Sequence, residues 1–144
     1  MNDLVLLLQA GSTLAMSGLI WFVQVVHYPL FAAVGRDGFP SYEREHVRRT
    51  GWVVGPLMVT EGLAAAWLLV SPPAGCGRTL PLLGFALLLL IWGSTATLQV
   101  PAHRRLAGEF APDDHRRLIR TNWIRTILWT LRALLALWMV RCGS

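Results

Sequence analysis

Four long apolar stretches, separated by short polar segments, dominate the chain. They cover residues 4–26, 52–70, 80–100 and 123–140. Each comes close to the roughly 20 residues that an α-helix needs to cross about 30 Å of hydrocarbon. Helices satisfy their own backbone hydrogen bonds in lipid. The pattern therefore predicts an all-α, four-transmembrane-helix bundle that forms a single integral membrane domain over residues 1–144.

Composition supports a membrane setting. Hydrophobic residues make up 54% of the chain and charged residues only 15%, which is too apolar for an ordinary soluble domain of this length. The first stretch follows Met1-Asn2-Asp3 without a basic segment or a clear cleavage site, so we expect a retained span and not a signal peptide.

Arginine predicts the orientation. Four spans place segments 27–51 and 101–122 on one side, with the termini and segment 71–80 on the other. The first side carries Arg36, Arg44, Arg48, Arg49, Arg104, Arg105, Arg116, Arg117 and Arg120, with Arg125 just inside the membrane. Only Arg78 and Arg141 lie on the second side. The positive-inside rule makes the first side cytoplasmic, in a bacterial inner membrane with both termini outside.

The basic side also predicts partners. A cluster of arginines beside apolar helices favours contact with anionic lipids at the cytoplasmic face. The stacking or groove-reading patterns of nucleic-acid binding are missing from the sequence, so nucleic acid is not an expected partner. A membrane-protein partner or a homo-oligomer stays open.

The two cysteines fall on the predicted outer side, Cys76 in the short turn and Cys142 at the C-terminus. An oxidising compartment permits a disulfide between them, and two free thiols are the alternative.

The sequence also indicates an internal duplication of one helical hairpin, with pseudo-repeats at about 4–71 and 79–142. A shift of 71 places Arg49-Thr50-x-Trp52 on Arg120-Thr121-x-Trp123. A shift of 75 places Gln24-Val25 on Gln99-Val100. Both hairpins begin outside, so the repeats would be parallel and related by an axis along the membrane normal.

The same alignment superposes Glu61 on Arg132, two charges deep in the apolar helices. Because an isolated charge at the bilayer centre costs at least ~2.5–3.5 kcal/mol on insertion scales, equal depth and opposite sign predict a buried ion pair. A structural clamp is the favoured role, with proton relay or anion binding as alternatives.

Histidines and further polar side chains gather toward the cytoplasmic half. His27 and His103 follow Gln24 and Gln99 at the helix ends, while Ser41 and Pro112 mark two short interfacial helices that carry His46 and His115. We therefore expect four imidazoles around a polar site that opens to the cytoplasm.

The metal chemistry of this site has several interpretations. Glu43-x-x-His46 has the spacing of a di-iron helix motif, but no convincing second motif accompanies it. A single metal ion held by His27, His46, His103 or Glu43 is an alternative, as is a haem between His27 and His103. The sequence itself requires no cofactor.

Three features of the sequence carry a family resemblance. A first helix ending His27-Tyr28-Pro29, a short basic segment, and Asn122-Trp123-Ile124-Arg125-Thr126 before the last helix resemble a family of small four-helix bacterial membrane proteins related to anthrone oxygenases. The likeness covers most of the chain. Trp129 and Arg132 depart from that pattern.

The resemblance implies an oxidoreductase or oxygenase that acts on a lipophilic aromatic or quinone-type molecule. His27 or His103 would then remove a proton, with Arg125 and Asn122 stabilising the anion.

Four further side chains are candidates for substrate binding: Gln24, Gln99, Trp52 and Trp123. For the two tryptophans, anchoring at the membrane interface is the alternative. A non-catalytic structural or assembly subunit of a larger membrane complex is the competing interpretation of the whole chain.

Overall fold

Four long helices form the fold. The computed structural model describes residues 2–143, and its helices are α1 (Asn2–Ala33), α2 (Phe39–Val70), α3 (Thr79–Leu106) and α4 (Pro112–Gly143). All four are long and apolar enough to cross a membrane. The predicted all-α four-helix bundle is therefore confirmed.

The predicted interfacial helices are the first turns of α2 and α4, which continue without interruption into the apolar stretches. Ser41 does not cap α2, as its hydroxyl donates to the Gly38 carbonyl at 2.9 Å. Pro112 does begin α4, followed by two acidic residues in the first turn. The polar first turns of α2 and α4 are thus rigid extensions of the bundle.

The helices pack as a ring, in which α1 contacts α2 and α4, and α3 contacts α4 and α2. Met16, Ile20, Ile91 and Trp129 belong to the main buried cluster. The outward positions are also apolar, as at Val70, which is 84% exposed. An apolar exterior of this extent fits lipid and would be unfavourable in water.

One π-turn interrupts each odd-numbered helix, at Val23–His27 in α1 and at Thr95–Gln99 in α3. Each turn contains a buried glutamine that donates to α4: Gln24 Nε2 to the Ile119 carbonyl and Gln99 Nε2 to Thr121 Oγ1, both at 3.2 Å. π-Turns are frequent at functional sites because the extra residue redirects side chains. Here they direct two amides inward.

A buried ion pair lies at the centre of the bundle. Arg132 Nε donates to Glu61 Oε1 at 2.6 Å, and both side chains are fully buried. Thr13 Oγ1 donates to the same oxygen at 2.7 Å, and Arg132 Nη1 donates to the Gly84 carbonyl. Trp129 Nε1 donates to Glu61 Oε2 at 3.3 Å. The cluster joins all four helices, which suits a structural clamp.

A disulfide closes one end of the bundle, the end opposite to the arginine-rich first turns of α4. Cys76, in the α2–α3 turn, is bonded to Cys142 in the last turn of α4, with Cα atoms 5.4 Å apart. The neighbouring Gly75 packs tightly here, because a Cβ at this position would lie 1.9 Å from the Cys142 carbonyl oxygen. The bridge ties the short turn to α4 across 66 residues of sequence.

Candidate functional site

One carboxylate and three imidazoles meet at the arginine-rich end of the bundle. His27 ends the π-turn of α1, Glu43 and His46 occupy the polar first turns of α2, and His103 lies near the end of α3. The i, i+3 spacing puts Glu43 and His46 on one side of their helix. We call Glu43, His46 and His103 the carboxylate–histidine cluster.

His103 connects two partners within this site. Its Nδ1 contacts Glu43 Oε1, and its Nε2 lies 2.8 Å from the Tyr28 hydroxyl. Glu43 is fully buried, and its second oxygen, Oε2, has no hydrogen-bond partner within residues 2–143. Tyr28, His103 and Glu43 therefore form a hydrogen-bonded chain that ends on an unsatisfied carboxylate oxygen.

His46 is held from the other side. Its Nδ1 lies 2.9 Å from His27 Nε2 and 3.1 Å from Thr50 Oγ1. The rings of His46 and His103 are 5.6 Å apart, and one ligand atom from each of Glu43, His46 and His103 lies within 4.8 Å of the others. This separation suits a bound cation or a relay of protons.

His115 is not part of this cluster. Its Nε2 donates to the Tyr28 carbonyl at 2.7 Å, and its ring stacks on Phe31 with centroids 6.1 Å apart. The structure thus brings three of the four histidines together and uses the fourth to support the backbone at Tyr28.

A cavity of about 210 Å³ borders the carboxylate–histidine cluster. Its polar lining includes Tyr28, His46, His103 and Arg125, and most of the remaining lining is apolar. The full lining is Leu19, Ile20, Val23, Tyr28, His46, Val47, Thr50, Gly51, Val54, Thr95, Gln99, Val100, His103 and Arg125. A neighbouring cavity of about 370 Å³ shares Val47, Val100 and His103 with it.

Arg125 provides the cationic part of the lining. Its guanidinium lies 5.4 Å from the Trp129 ring centroid and interacts with the Tyr28 side chain. The Arg125 Nε atom is buried, and no group in the described part of the chain forms a hydrogen bond with it. A donor in that state can bind an anionic oxygen that enters the cavity.

Several other candidates lie elsewhere. Asn122 is fully buried and donates from Nδ2 to Gln24 Oε1 at 2.9 Å, and neither residue lines the cavity. Trp52 is 71% exposed on the outer surface beneath Arg48. Trp123 packs edge-on against Trp21, with centroids 5.6 Å apart. Of the four substrate-binding candidates, only Gln99 borders the cavity.

His27 lines a separate cavity of about 260 Å³, which shares His46 and Thr50 with the first. It therefore reaches the carboxylate–histidine cluster through His46.

Tyr28 contacts the carboxylate–histidine cluster through His103, and sequence reasoning did not select it as a site residue. A signal was present, because the shift of 75 that aligns Gln24 with Gln99 also aligns Tyr28 with His103. Positions related by a two-fold axis can meet where they lie close to that axis. Tyr28 and His103 lie four residues beyond Gln24 and Gln99 in that alignment.

Comparisons with known proteins leave this site to be interpreted from its own geometry, because no family model, curated protein or solved structure matches the chain.

Proposed function

We propose that the protein is an integral membrane oxidoreductase that takes a lipophilic aromatic molecule, of the anthrone or hydroquinone type, into the 210 Å³ cavity. The cavity lining carries this proposal. It combines an apolar surface suited to a ring system with Tyr28, His46, His103 and Arg125, the polar groups that bind and deprotonate an acidic aromatic. The resemblance to anthrone oxygenases points to the same chemistry.

Three polar groups of the lining have a role in this proposal: Tyr28, His103 and Arg125. The Tyr28–His103 pair accepts the proton of a phenolic O–H or activated C–H group, and the Glu43 carboxylate in contact with His103 Nδ1 holds that imidazole in position. Arg125, with its unpaired Nε, stabilises the resulting anion.

Dioxygen is the electron acceptor in this proposal. With anthrone, the deprotonated carbon adds one dioxygen molecule, takes up a proton, and loses one water to give the quinone. The substrate is oxidised by four electrons, and dioxygen supplies both the new carbonyl oxygen and the oxygen of the water.

The distribution of arginine supports a position for the site at the cytoplasmic face of the membrane. The arginine-rich end would face the cytoplasm and anionic lipids, so substrate would enter from the inner leaflet. The disulfide would then lie on the oxidising outer side, in a bacterial inner membrane.

Two glycines of α2 provide a matched test. Gly51 lines the cavity and Gly55 does not, and a Cβ added at either position would meet no atom within 4 Å. Gly51→Leu should fill the cavity, whereas Gly55→Leu adds the same side chain one turn away. The assay follows dioxygen uptake and anthraquinone formation from anthrone, using protein purified in detergent micelles.

We expect wild type and Gly55→Leu to exceed empty micelles, and Gly51→Leu to lose at least about tenfold, since a filled pocket removes substrate positioning. Anthraquinone formation no faster than in empty micelles, together with no quenching of tryptophan fluorescence by added anthraquinone, would refute the proposal. That result would favour a structural subunit.

A further inference from the structure

We infer that the carboxylate–histidine cluster is a binding site for one divalent transition-metal ion. Glu43, His46 and His103 place their ligand atoms within 4.8 Å of one another. Two imidazoles and one carboxylate, with further positions open, are the ligand set of mononuclear non-haem iron sites, and the same set binds catalytic zinc. The three residues come from α2 and α3, so the ion would connect these helices.

The state of Glu43 is the main observation. Its side chain is fully buried, its only ion-pair partner among the described residues is His103, and Oε2 has no hydrogen-bond partner. Glu61 is equally buried, but Arg132, Thr13 and Trp129 satisfy its two oxygens. A buried carboxylate left in this way is costly unless a cation compensates it. A metal ion would supply that charge.

The surroundings of the two histidines match those of metal ligands. Metal-bound imidazoles almost always have their second ring nitrogen held by another group. Tyr28 holds His103 Nε2, which leaves Nδ1 facing Glu43. His27 and Thr50 hold His46 Nδ1, which leaves its other nitrogen for the ion. Both rings are thereby oriented before any ion binds.

The site also has room for a further ligand. His46 and His103 line the 210 Å³ cavity. Three protein ligands leave coordination positions for water, dioxygen or substrate from that side. The inference deepens the proposed function by naming its cofactor class, but it concerns binding and is tested without turnover.

The test measures metal content and metal affinity. Protein carrying a tag without histidine is purified in detergent, stripped with a chelator, and titrated separately with Fe(II), Zn(II) and Co(II) under anaerobic conditions. Metal per chain is measured by mass spectrometry, and Co(II) reports its ligands through visible absorption. We expect one ion per chain and Co(II) bands typical of nitrogen and oxygen ligands.

The variants separate ligands from neighbours. Glu43→Gln, His46→Asn and His103→Asn should each weaken binding at least about 100-fold, and Tyr28→Phe about 10-fold, the lower end for a residue that orients a ligand. Glu45→Gln is the control, because Glu45 lies on the same helix as Glu43 and pairs with Arg48 and Arg49 at the surface. Circular dichroism and size-exclusion chromatography confirm that each variant folds.

Failure to bind any of the three metals stoichiometrically would overturn the inference, as would ligand variants that bind like Glu45→Gln. Anthrone oxidation by protein that binds none of the three metals would overturn the inference while leaving the proposed function intact. Stoichiometric binding without any oxidation would support the metal site and count against the proposed function.

Discussion

Tyr28 and His103, 75 positions apart in sequence, share a hydrogen bond of 2.8 Å beside the candidate site. Glu61 and Arg132, 71 positions apart, share one of 2.6 Å at the centre of the bundle. The same separations, 75 and 71, are the two shifts of the predicted internal alignment. Equivalent positions of a two-fold repeat meet only near its axis, so contacts at these separations are compatible with the hairpin duplication, which stays a prediction.

The first prediction concerns the Tyr28 hydroxyl. Tyr28→Phe keeps the buried ring but removes the group that holds His103 Nε2. We expect the rate of anthrone oxidation to fall about 10²-fold or more, which is the usual contribution of a positioned acid or base. The melting temperature should stay within a few degrees of the wild-type value. Oxygen uptake and thermal melting in detergent measure the two effects. A variant with wild-type turnover would exclude Tyr28 from the proton path.

The second prediction concerns the central ion pair. Glu61→Gln leaves the fully buried Arg132 guanidinium without a counter-charge, and breaking such a pair costs about 3–5 kcal/mol. We expect a marked fall in melting temperature. Replacing both residues, as Glu61→Leu with Arg132→Met, should restore most of the loss, because apolar pairs of similar volume are often neutral.

Glu45→Gln is the control for this pair, since its carboxylate binds Arg48 and Arg49 at the surface of the same helix. Surface ion pairs contribute little to stability, so its melting temperature should match wild type. If Glu61→Gln melted like Glu45→Gln, the pair would not be the clamp.

The sequence allowed Glu61 and Arg132 to be paired because a lone charge in lipid needs a partner and only two were available at that depth. It did not allow Glu43 to be paired with His103. That contact forms because the polar first turns of α2 reach the end of α3. They reach it because α2 is one continuous helix from Phe39 onward. Side-chain type and spacing carry no information on it.

The cavity shows the same limit. Arg125, Gln99 and His103 line it as the sequence suggested, while Asn122 turns away to bond Gln24. The direction of a side chain depends on helix rotation, and the π-turns change that rotation locally. Apolar residues point to both lipid and core in this bundle, so hydrophobic periodicity cannot fix it.

The third prediction concerns the disulfide. Cys76→Ser with Cys142→Ser should lower the free energy of unfolding by about 2–4 kcal/mol, because the bond closes a long loop in the unfolded chain. Thermal melting measures the loss, and wild type treated with a reductant should reproduce it. Intact mass after alkylation without reductant should show no modified cysteine. Two alkylated thiols on freshly purified protein would contradict the prediction.

The fourth prediction concerns orientation, and it connects the disulfide to the candidate site. α4 carries Cys142 of the disulfide at one end and the arginine-rich segment at the other. A single fusion to the carboxyl terminus therefore reports on which side of the membrane each end lies. With the arginines inside, alkaline phosphatase fused after residue 144 should be active, and green fluorescent protein there should be dark. The reverse should hold for fusions in the α3–α4 loop. A fluorescent carboxyl-terminal fusion would place the disulfide in the cytoplasm and the carboxylate–histidine cluster outside, and the proposed substrate would then have to enter from the outer leaflet.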